Sequence, residues 1–369
     1  MKKTKPITNN IFITGATGFL GANLTKRILK DSRNRVFVLL RTNLSEKIIK
    51  RDHRKYVRMV ISKPLKREID RIHFIKGDVT KENLGISKRN LKFLKNNIST
   101  IYHSAALRDF NCSLETIRKI NVKGTENLIK LGMNWKKTGK LQTINHISTT
   151  YISGDYKKTF FENQLNVSQK FKNTYEQSKY EAEKVVNDYR KKNLWIDIYR
   201  PSVLTDSVEI PSEKESMLYR ILDLYISGIF SEVPSKYEAC INLIPVDTAS
   251  NIIYQISNCE GRKVNQTYHV ANKYSSNFHT ILKVIKKTYK LKKLKTTNSW
   301  NKNSVKKSIF EQRFEQFLYP YMMQKTSYDL KNTEPYIKRF NIKVPRPTMN
   351  VIEKLLNLYT KRGLVKLDK

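Results

Sequence analysis

Tyr175-Glu176-Gln177-Ser178-Lys179 sets a phenol and an ammonium four residues apart, a spacing that puts both on one face of a helix. Such a pair suits carbonyl reduction, where the oxygen takes a proton as hydride reaches the carbon. A free tyrosine, with a pKa of about 10, is a reluctant proton partner near neutrality. A lysine charge beside it favours the phenolate and draws that pKa toward the working range. Isolated, Tyr-x-x-x-Lys reads as a solvent-facing pair. What precedes it gives it weight.

One such feature is His146-Ile147-Ser148-Thr149-Thr150-Tyr151, at the end of a β-branched run. Hydroxyls there emerge at the carboxyl end of a sheet, where ligands of open α/β folds bind. Thr149 is the expected donor to a developing oxyanion, with Ser148 as second choice. The plain alternative is a pair of hydroxyls capping a strand end.

A second feature is Thr14-Gly15-Ala16-Thr17-Gly18-Phe19-Leu20-Gly21, lying between a predicted strand and helix. Glycines at that junction permit a tight turn and let backbone N–H groups approach a pyrophosphate at the helix N-terminus. Three glycines alone are a weak signal, but their position after the first strand strengthens it. The end of the second strand then bears on the cofactor. An acidic residue there binds a ribose 2′-hydroxyl, whereas arginine accommodates a 2′-phosphate. The strand runs Val36-Phe37-Val38-Leu39-Leu40-Arg41 with no acid before Glu46, so Arg41 points to NADP. Asp78 is expected at the adenine edge, or as a helix cap for the segment starting at Thr80.

The elements that must position these groups follow from periodicity. Strands are predicted at 11–14, 35–40, 72–76, 100–103, 142–147 and 195–199, the last stopped by Pro201. Helices are predicted at 19–30, 122–136 and 174–192. This alternation is the pattern of a parallel sheet covered by helices, an α/β class. Beyond Pro201 the pattern loosens into a loop-and-helix insert at 207–239, strand material at 240–247 and 267–272, and a mostly helical tail from Tyr274. The expected division is a nucleotide-binding domain over 1–206, completed by about 240–272. A smaller substrate lobe comprises 207–239 and 273–369.

Composition narrows the class further. The chain has 369 residues, 39% of them hydrophobic, enough for a sizeable core. Its longest apolar stretch, Met217 to Phe230, is broken by Arg220 and Asp223, which argues against a spanning helix. Three cysteines without metal-ligand spacing, and no signal-peptide pattern, fit a reduced cytoplasmic setting. His103 and His146 read as satisfied interior histidines, and no metal site is expected. The net charge of +39 is spread along the chain, with one dense stretch at Lys283, Lys286, Lys287, Lys290, Lys292 and Lys293. It reads as a solvated surface: specific nucleic-acid binding is not expected, and peripheral membrane contact is compatible with it.

In order, Thr14 to Gly21, His103-Ser104-Ala105-Ala106, Asn121-Val122-Lys123-Gly124-Thr125, Tyr175 to Lys179 and Arg200-Pro201-Ser202 resemble the extended short-chain dehydrogenase/reductases. Finer features bring the chain closest to the branch of fatty acyl-CoA reductases, of the "male sterility" type, and thioester reductase domains. These are Leu39-Leu40-Arg41, Gly77-Asp78-Val79-Thr80, Ser148 to Gly154 and Asn242-Leu243-Ile244-Pro245-Val246-Asp247. The resemblance covers roughly residues 11 to 255. It implies a Rossmann-type doubly wound sheet, NADPH as cofactor, a catalytic set of Thr149, Tyr175 and Lys179, and an acyl thioester as substrate. The implied cofactor contacts are Gly15, Thr17, Gly18, Phe19, Leu20, Gly21, Arg41, Asp78, Val79, Ser104, Ala105, Lys179, Pro201 and Ser202. An acyl-carrier protein becomes a candidate partner. Two other expectations compete: an enzyme of nucleotide-sugar or hydroxysteroid-like alcohols, often with an acidic second-strand end, and a regulator, which tends to lose the Tyr/Lys pair.

Overall fold

The computed structural model describes residues 9–61, 66–110, 112–192, 194–207, 232–234, 239–290, 295–297, 321 and 324–361. Contacts divide the chain into two compact units. The first comprises Met1–Ile152, Thr174–Arg200 and Ser250–Tyr268; the second comprises Ser153–Asn173, Pro201–Ala249 and His269–Lys369.

A seven-stranded sheet carries the first unit. Its strands are β1 (Asn9–Thr14), β2 (Asn34–Leu40), β3 (Ile72–Lys76), β4 (Thr100–His103), β5 (Thr143–Ile147), β6 (Ile196–Pro201) and β7 (Thr267–Val270), in the spatial order β7-β6-β5-β4-β1-β2-β3. The pairings from β1 through β6 are parallel. The chain runs outward from β1 to β3, then crosses back to β4 on the other side of β1. That reversal opens a crevice at the carboxyl ends of β1 and β4. Strands buried on both faces read as near-continuous apolar runs. Phe12, Ile13, Val36, Val38, Ile101, Ile144, Ile196 and Ile198 are all at most 1% exposed.

The helices seal this sheet. They are α1 (Phe19–Leu29), α2 (Glu46–Arg51), α3 (His53–Val60), α4 (Lys66–Ile69), α5 (Lys88–Asn97), α6 (Leu114–Asn121), α7 (Lys123–Thr138), α8 (Thr174–Arg190) and α9 (Val246–Ser257). Leu128, Ile129 and Trp135 of α7 and Val186 of α8 join the core, where the Trp135 ring meets Phe12 edge-on at 5.8 Å. The α9 end is tied to α1 and β2: the Arg27 guanidinium lies 4.2 Å from the Tyr254 ring centroid, and Asn34 Nδ2 donates to the Tyr254 hydroxyl at 3.0 Å.

Sequence periodicity places strands β1 to β5 and helices α1, α7 and α8 within about two residues of these bounds. It does not reveal α2 through α6. These are short and carry many lysines and arginines on exposed faces, so their apolar stripes are thin. Side-chain caps still mark three of them, Ser45 accepting from the Ile48 N–H, Ser87 from the Asn90 N–H and Ser113 from the Thr116 N–H.

Two further expectations need correction. Pro201 does not stop the strand before it: β6 runs to Pro201, and Val203–Thr205 pairs with Leu243–Pro245 immediately beyond. The proline lacks a donor, and the Ser202 N–H resumes the ladder by donating to the Val270 carbonyl at 3.1 Å. The segment 240–247 is not one strand either. It holds two short strands, Cys240–Ile241 and Leu243–Pro245, after which α9 starts at Val246 with Asp247 in its first turn. Most of the 207–239 insert, including Met217 to Phe230, lies outside the described residues. Among the described residues no helix is long and apolar enough to cross a membrane.

The second unit contains short paired strands and two packed helices, Phe278–Thr288 and Met349–Lys361. Tyr289 donates to the Leu356 carbonyl at 2.8 Å. Ile281, Leu282, Val284 and Ile285 are buried, while Lys283, Lys286, Lys287 and Lys290 are exposed, so this part of the dense lysine stretch is a solvated face. Lys292 and Lys293 lie outside the described residues. A buried carboxylate organises the unit. Glu162 accepts from the His269 N–H at 2.8 Å, the Thr333 hydroxyl at 2.7 Å and the Asn332 N–H. Burial nevertheless pushes its pKa up to about 7 against those three donors.

One ion pair in the first unit is almost wholly dehydrated. Arg200 on β6 makes a forked contact with Glu183 on α8, Nη2 to Oε2 at 2.7 Å and Nε to Oε1 at 3.0 Å, with side chains 2% and 0% exposed. Removing one partner of such a pair strands the other charge in the core. Glu183→Ala is expected to lower unfolding stability by about 3–5 kcal/mol, measured by urea denaturation. A loss within about 0.5 kcal/mol, the range of ordinary surface substitutions, would mean that the pair does not hold α8 to the sheet.

Candidate active site

The glycine turn lies where β1 ends. Gly15 has φ +73°, a conformation that side chains disfavour, and a Cβ there would sit 2.5 Å from the Ala105 nitrogen and from the Ser104 carbonyl carbon. A Cβ at Gly21 would lie 2.1 Å from the Gly15 oxygen. The turn is thus pressed against the segment following β4 and against the first turn of its own helix. The Gly18 N–H donates to the Gly15 carbonyl at 2.9 Å, and Gly18 caps α1 with no side chain. No acidic residue occupies the first turn of α1, so its N-terminal N–H groups and dipole are presented without a competing anion. This arrangement fits a pyrophosphate.

Thr14 and His103 join the ends of β1 and β4. The Thr14 hydroxyl and His103 Nδ1 are 2.7 Å apart, His103 Nε2 is 3.1 Å from the Thr125 hydroxyl, and the Ala105 N–H donates to Thr14 Oγ1 at 3.2 Å. Ser104 and Ala105, expected at the cofactor, therefore form the wall facing the glycine turn. Burial, reinforced by the Lys179 charge, pushes the His103 pKa down to about 3, so the ring is neutral. His146, 5.5 Å away, is also held neutral by burial. Both of its ring nitrogens lack a hydrogen-bond partner among the described residues, which corrects the expectation that both histidines are satisfied. Among the described residues no cluster could hold a metal ion.

Arg41 follows β2 directly and is exposed. Asp78 follows β3, and its Oδ1 accepts from the Thr80 N–H at 2.9 Å and hydroxyl at 2.8 Å. Asp78 thus closes a turn on Thr80 and does not cap a helix: the helical turn Glu82–Gly85 begins after Lys81, with no side-chain cap. Val79 is buried beside it, packed on Gly124 of α7. Pro201 and Ser202 fall in the second unit, with the Ser202 hydroxyl buried and unpartnered among the described residues.

Helix α8 presents Tyr175 and Lys179 on one face. Lys179 is 2% exposed, and its Nζ donates to the Ile147 carbonyl at the end of β5, 2.7 Å away. Burial pushes its pKa down to about 8, against an opposing pull from the Glu183 carboxylate. The Tyr175 phenol is shifted upward by burial, partly offset by the Arg108 charge. Ser148 and Thr149 follow Ile147 directly and are 5% and 6% exposed. Thr149 Oγ1 accepts from the Tyr151 N–H at 3.3 Å, while the Ser148 hydroxyl has no partner among the described residues.

Periodicity and motif spacing did not single out Asn121 as a site residue. Its Oδ1 accepts from the Leu107 N–H at 2.8 Å, and its Nδ2 reaches the Leu107 carbonyl at 3.0 Å and the Ser178 hydroxyl at 2.9 Å. It ties the loop after β4 to α8. Its place at the end of α6, in Asn121-Val122-Lys123-Gly124-Thr125, is the signal that could have found it.

Known proteins resemble the chain in sequence and in fold. A linear gramicidin synthase polypeptide of Brevibacillus parabrevis is 29% identical over 295 residues, 78% of this chain and 6% of that protein. Fatty acyl-CoA reductase wat of Drosophila melanogaster is 25% identical over 283 residues, 66% of this chain and 53% of that one. The chain thus spans about half the length of one curated relative and a small fraction of the other. The terminal R domain from the myxalamid PKS-NRPS biosynthetic pathway has the same fold, with a TM-score of 0.79 at 22% identity, covering 99% of this chain and 94% of that domain. Residues 13–253, well over half of the chain and spanning the glycine turn, β5 and α8, match the male sterility protein family of NAD-binding domains, and the chain belongs to that family.

Proposed function

We propose that the chain is an NADPH-dependent reductase of acyl thioesters. One observation carries this proposal. Lys179, four residues beyond Tyr175, is anchored to the Ile147 carbonyl at the end of β5, next to Ser148 and Thr149 and on the sheet edge that carries the glycine turn. Proton-transfer groups and a phosphate-binding turn thereby share the carboxyl ends of β1, β4 and β5. The names of the relatives support an acyl thioester over another carbonyl. An acyl-carrier protein is the proposed partner where the acyl group is not on coenzyme A.

In this proposal Gly15, Thr17, Gly18, Phe19, Leu20 and Gly21 hold the pyrophosphate, and Arg41 pairs with the 2′-phosphate. Asp78 and Val79 lie along the adenine, and Ser104, Ala105 and Lys179 lie along the nicotinamide half. When bound, the nicotinamide supplies the hydride. Tyr175 gives its phenolic proton to the carbonyl oxygen, and Thr149 holds that oxygen in place. The Lys179 ammonium stabilises the phenolate that remains until solvent returns the proton. The resulting thiohemiacetal expels its thiol to give an aldehyde, which a second round reduces to the alcohol.

NADPH oxidation with purified protein, followed by absorbance against acyl-CoA thioesters, aldehydes and ketones, is the direct test. Turnover of acyl-CoA is expected; turnover of ketones alone would move the substrate class. Arg41→Ala is expected to weaken NADPH binding far more than NADH binding, since only NADPH offers the 2′-phosphate. Equal titration curves for the two cofactors in the unmodified protein would remove the NADP assignment. Tyr175→Phe is expected to bind NADPH normally and lose about 10²–10⁴ in turnover, the usual contribution of a positioned acid. Full activity in that variant would eliminate the phenol as proton donor.

A further inference from the structure

The loop between β4 and α6 carries a charge that the proposed reduction leaves unused. It is tied down at both ends. The Ser104 N–H donates to the Thr14 carbonyl at 3.2 Å, and Leu107 is gripped through both its N–H and its carbonyl by Asn121. Asn121 bonds Ser178 on α8 at 2.9 Å, only three residues from Tyr175. On the far side, the Phe110 ring rests 5.9 Å from the Tyr175 ring, centroid to centroid. Arg108 lies between these two anchors. It is exposed, and its charge acts on the Tyr175 phenol.

We infer that Arg108 is a positioning residue for the reduction, its positive charge acting on the Tyr175 phenol to support proton transfer. The inference rests on Tyr175 being the proton donor. Its electrostatic sense is clear. Burial opposes ionisation of the phenol, the Glu176 carboxylate adds to that opposition, and Arg108 works against both. Lys179 and Glu183 are the charged groups further along this helix face, the ammonium directed to the Ile147 carbonyl and the carboxylate held by Arg200. A cation near a phenol stabilises the phenolate, so the protonated phenol becomes a stronger acid toward the carbonyl oxygen. Loop geometry makes this a built feature. The Asn121 clamp and the Phe110 contact fix the backbone on both sides of Arg108 relative to α8.

The test is a pH profile of kcat and kcat/KM for the unmodified enzyme, Arg108→Gln, Arg108→Lys and Tyr175→Phe. It uses NADPH and whichever compound of the panel turns over fastest. Tyr175 and Lys179 titrate as a pair, and removing a nearby positive charge raises the apparent pKa of either member. The alkaline limb is therefore expected to move up by about half a pH unit in Arg108→Gln, the scale of one charge acting through a partly hydrated gap. Turnover at pH 7 is expected to fall about two-fold, with unchanged NADPH affinity. Arg108→Lys, which keeps the charge, is expected to restore the limb. An alkaline limb in Arg108→Gln that coincides with that of the unmodified enzyme overturns the inference, whatever the size of the rate loss. Full turnover in Tyr175→Phe would instead overturn the proton-donor assignment. An inactive Tyr175→Phe beside an unmoved Arg108→Gln limb overturns the role of Arg108 alone.

Discussion

Gly15 approaches the backbone of Ser104 and Ala105 so closely that no side chain fits between them. The contact joins the first strand to the fourth at the point where the strand order reverses, and the Thr14–His103 hydrogen bond joins the same two strand ends. Because the turn cannot move outward, the N-terminus of α1 is aimed into the crevice and its N–H groups stay there. The segment after β4 continues to Leu107, which Asn121 ties to Ser178 of α8. The glycine turn, where the pyrophosphate is proposed to bind, and the loop that Asn121 ties to α8 both adjoin this close approach.

The second constraint is electrostatic. Lys179 is buried, and burial alone would favour its neutral form. A carbonyl acceptor at β5 and the Glu183 carboxylate one turn further along α8 act in the opposite direction. Glu183 is itself held by Arg200, so α8, the strand behind it and the ammonium form a series of alternating charges, Arg200 to Glu183 to Lys179. A single neutralisation in that series would unbalance the rest. The histidines beside it are neutral chiefly because they are buried, and the Lys179 charge reinforces this by disfavouring a second cation nearby.

A net charge of +39 stands apart from these arrangements. Lysines of the helix Phe278–Thr288 point to solvent while its isoleucines, leucine and valine are buried, which is how a basic composition coexists with an ordinary core. The charge that bears on the candidate site is local. In the proposed reaction it belongs to Arg41 after β2, Arg108 in the loop after β4 and Lys179 on α8.

Much of this was legible in the sequence because its signals are local. A glycine turn needs only its neighbours to declare itself, a four-residue spacing fixes a helix face, and doubly buried strands betray themselves as apolar runs from β1 to β5. The short helices α2 to α6 were not legible, since lysine-rich faces dilute their periodicity. Nor was the continuation of β6 to Pro201, because a missing N–H matters only when the register of the partner strand is known. Local sequence also could not show that Asn121 clamps Leu107 to Ser178, that the Phe110 ring lies against Tyr175, or that the His146 ring nitrogens find no partner among the described residues. Such relations join residues far apart in the chain, and they exist only once the sheet has brought the ends of β4 and β5 and the start of α8 together.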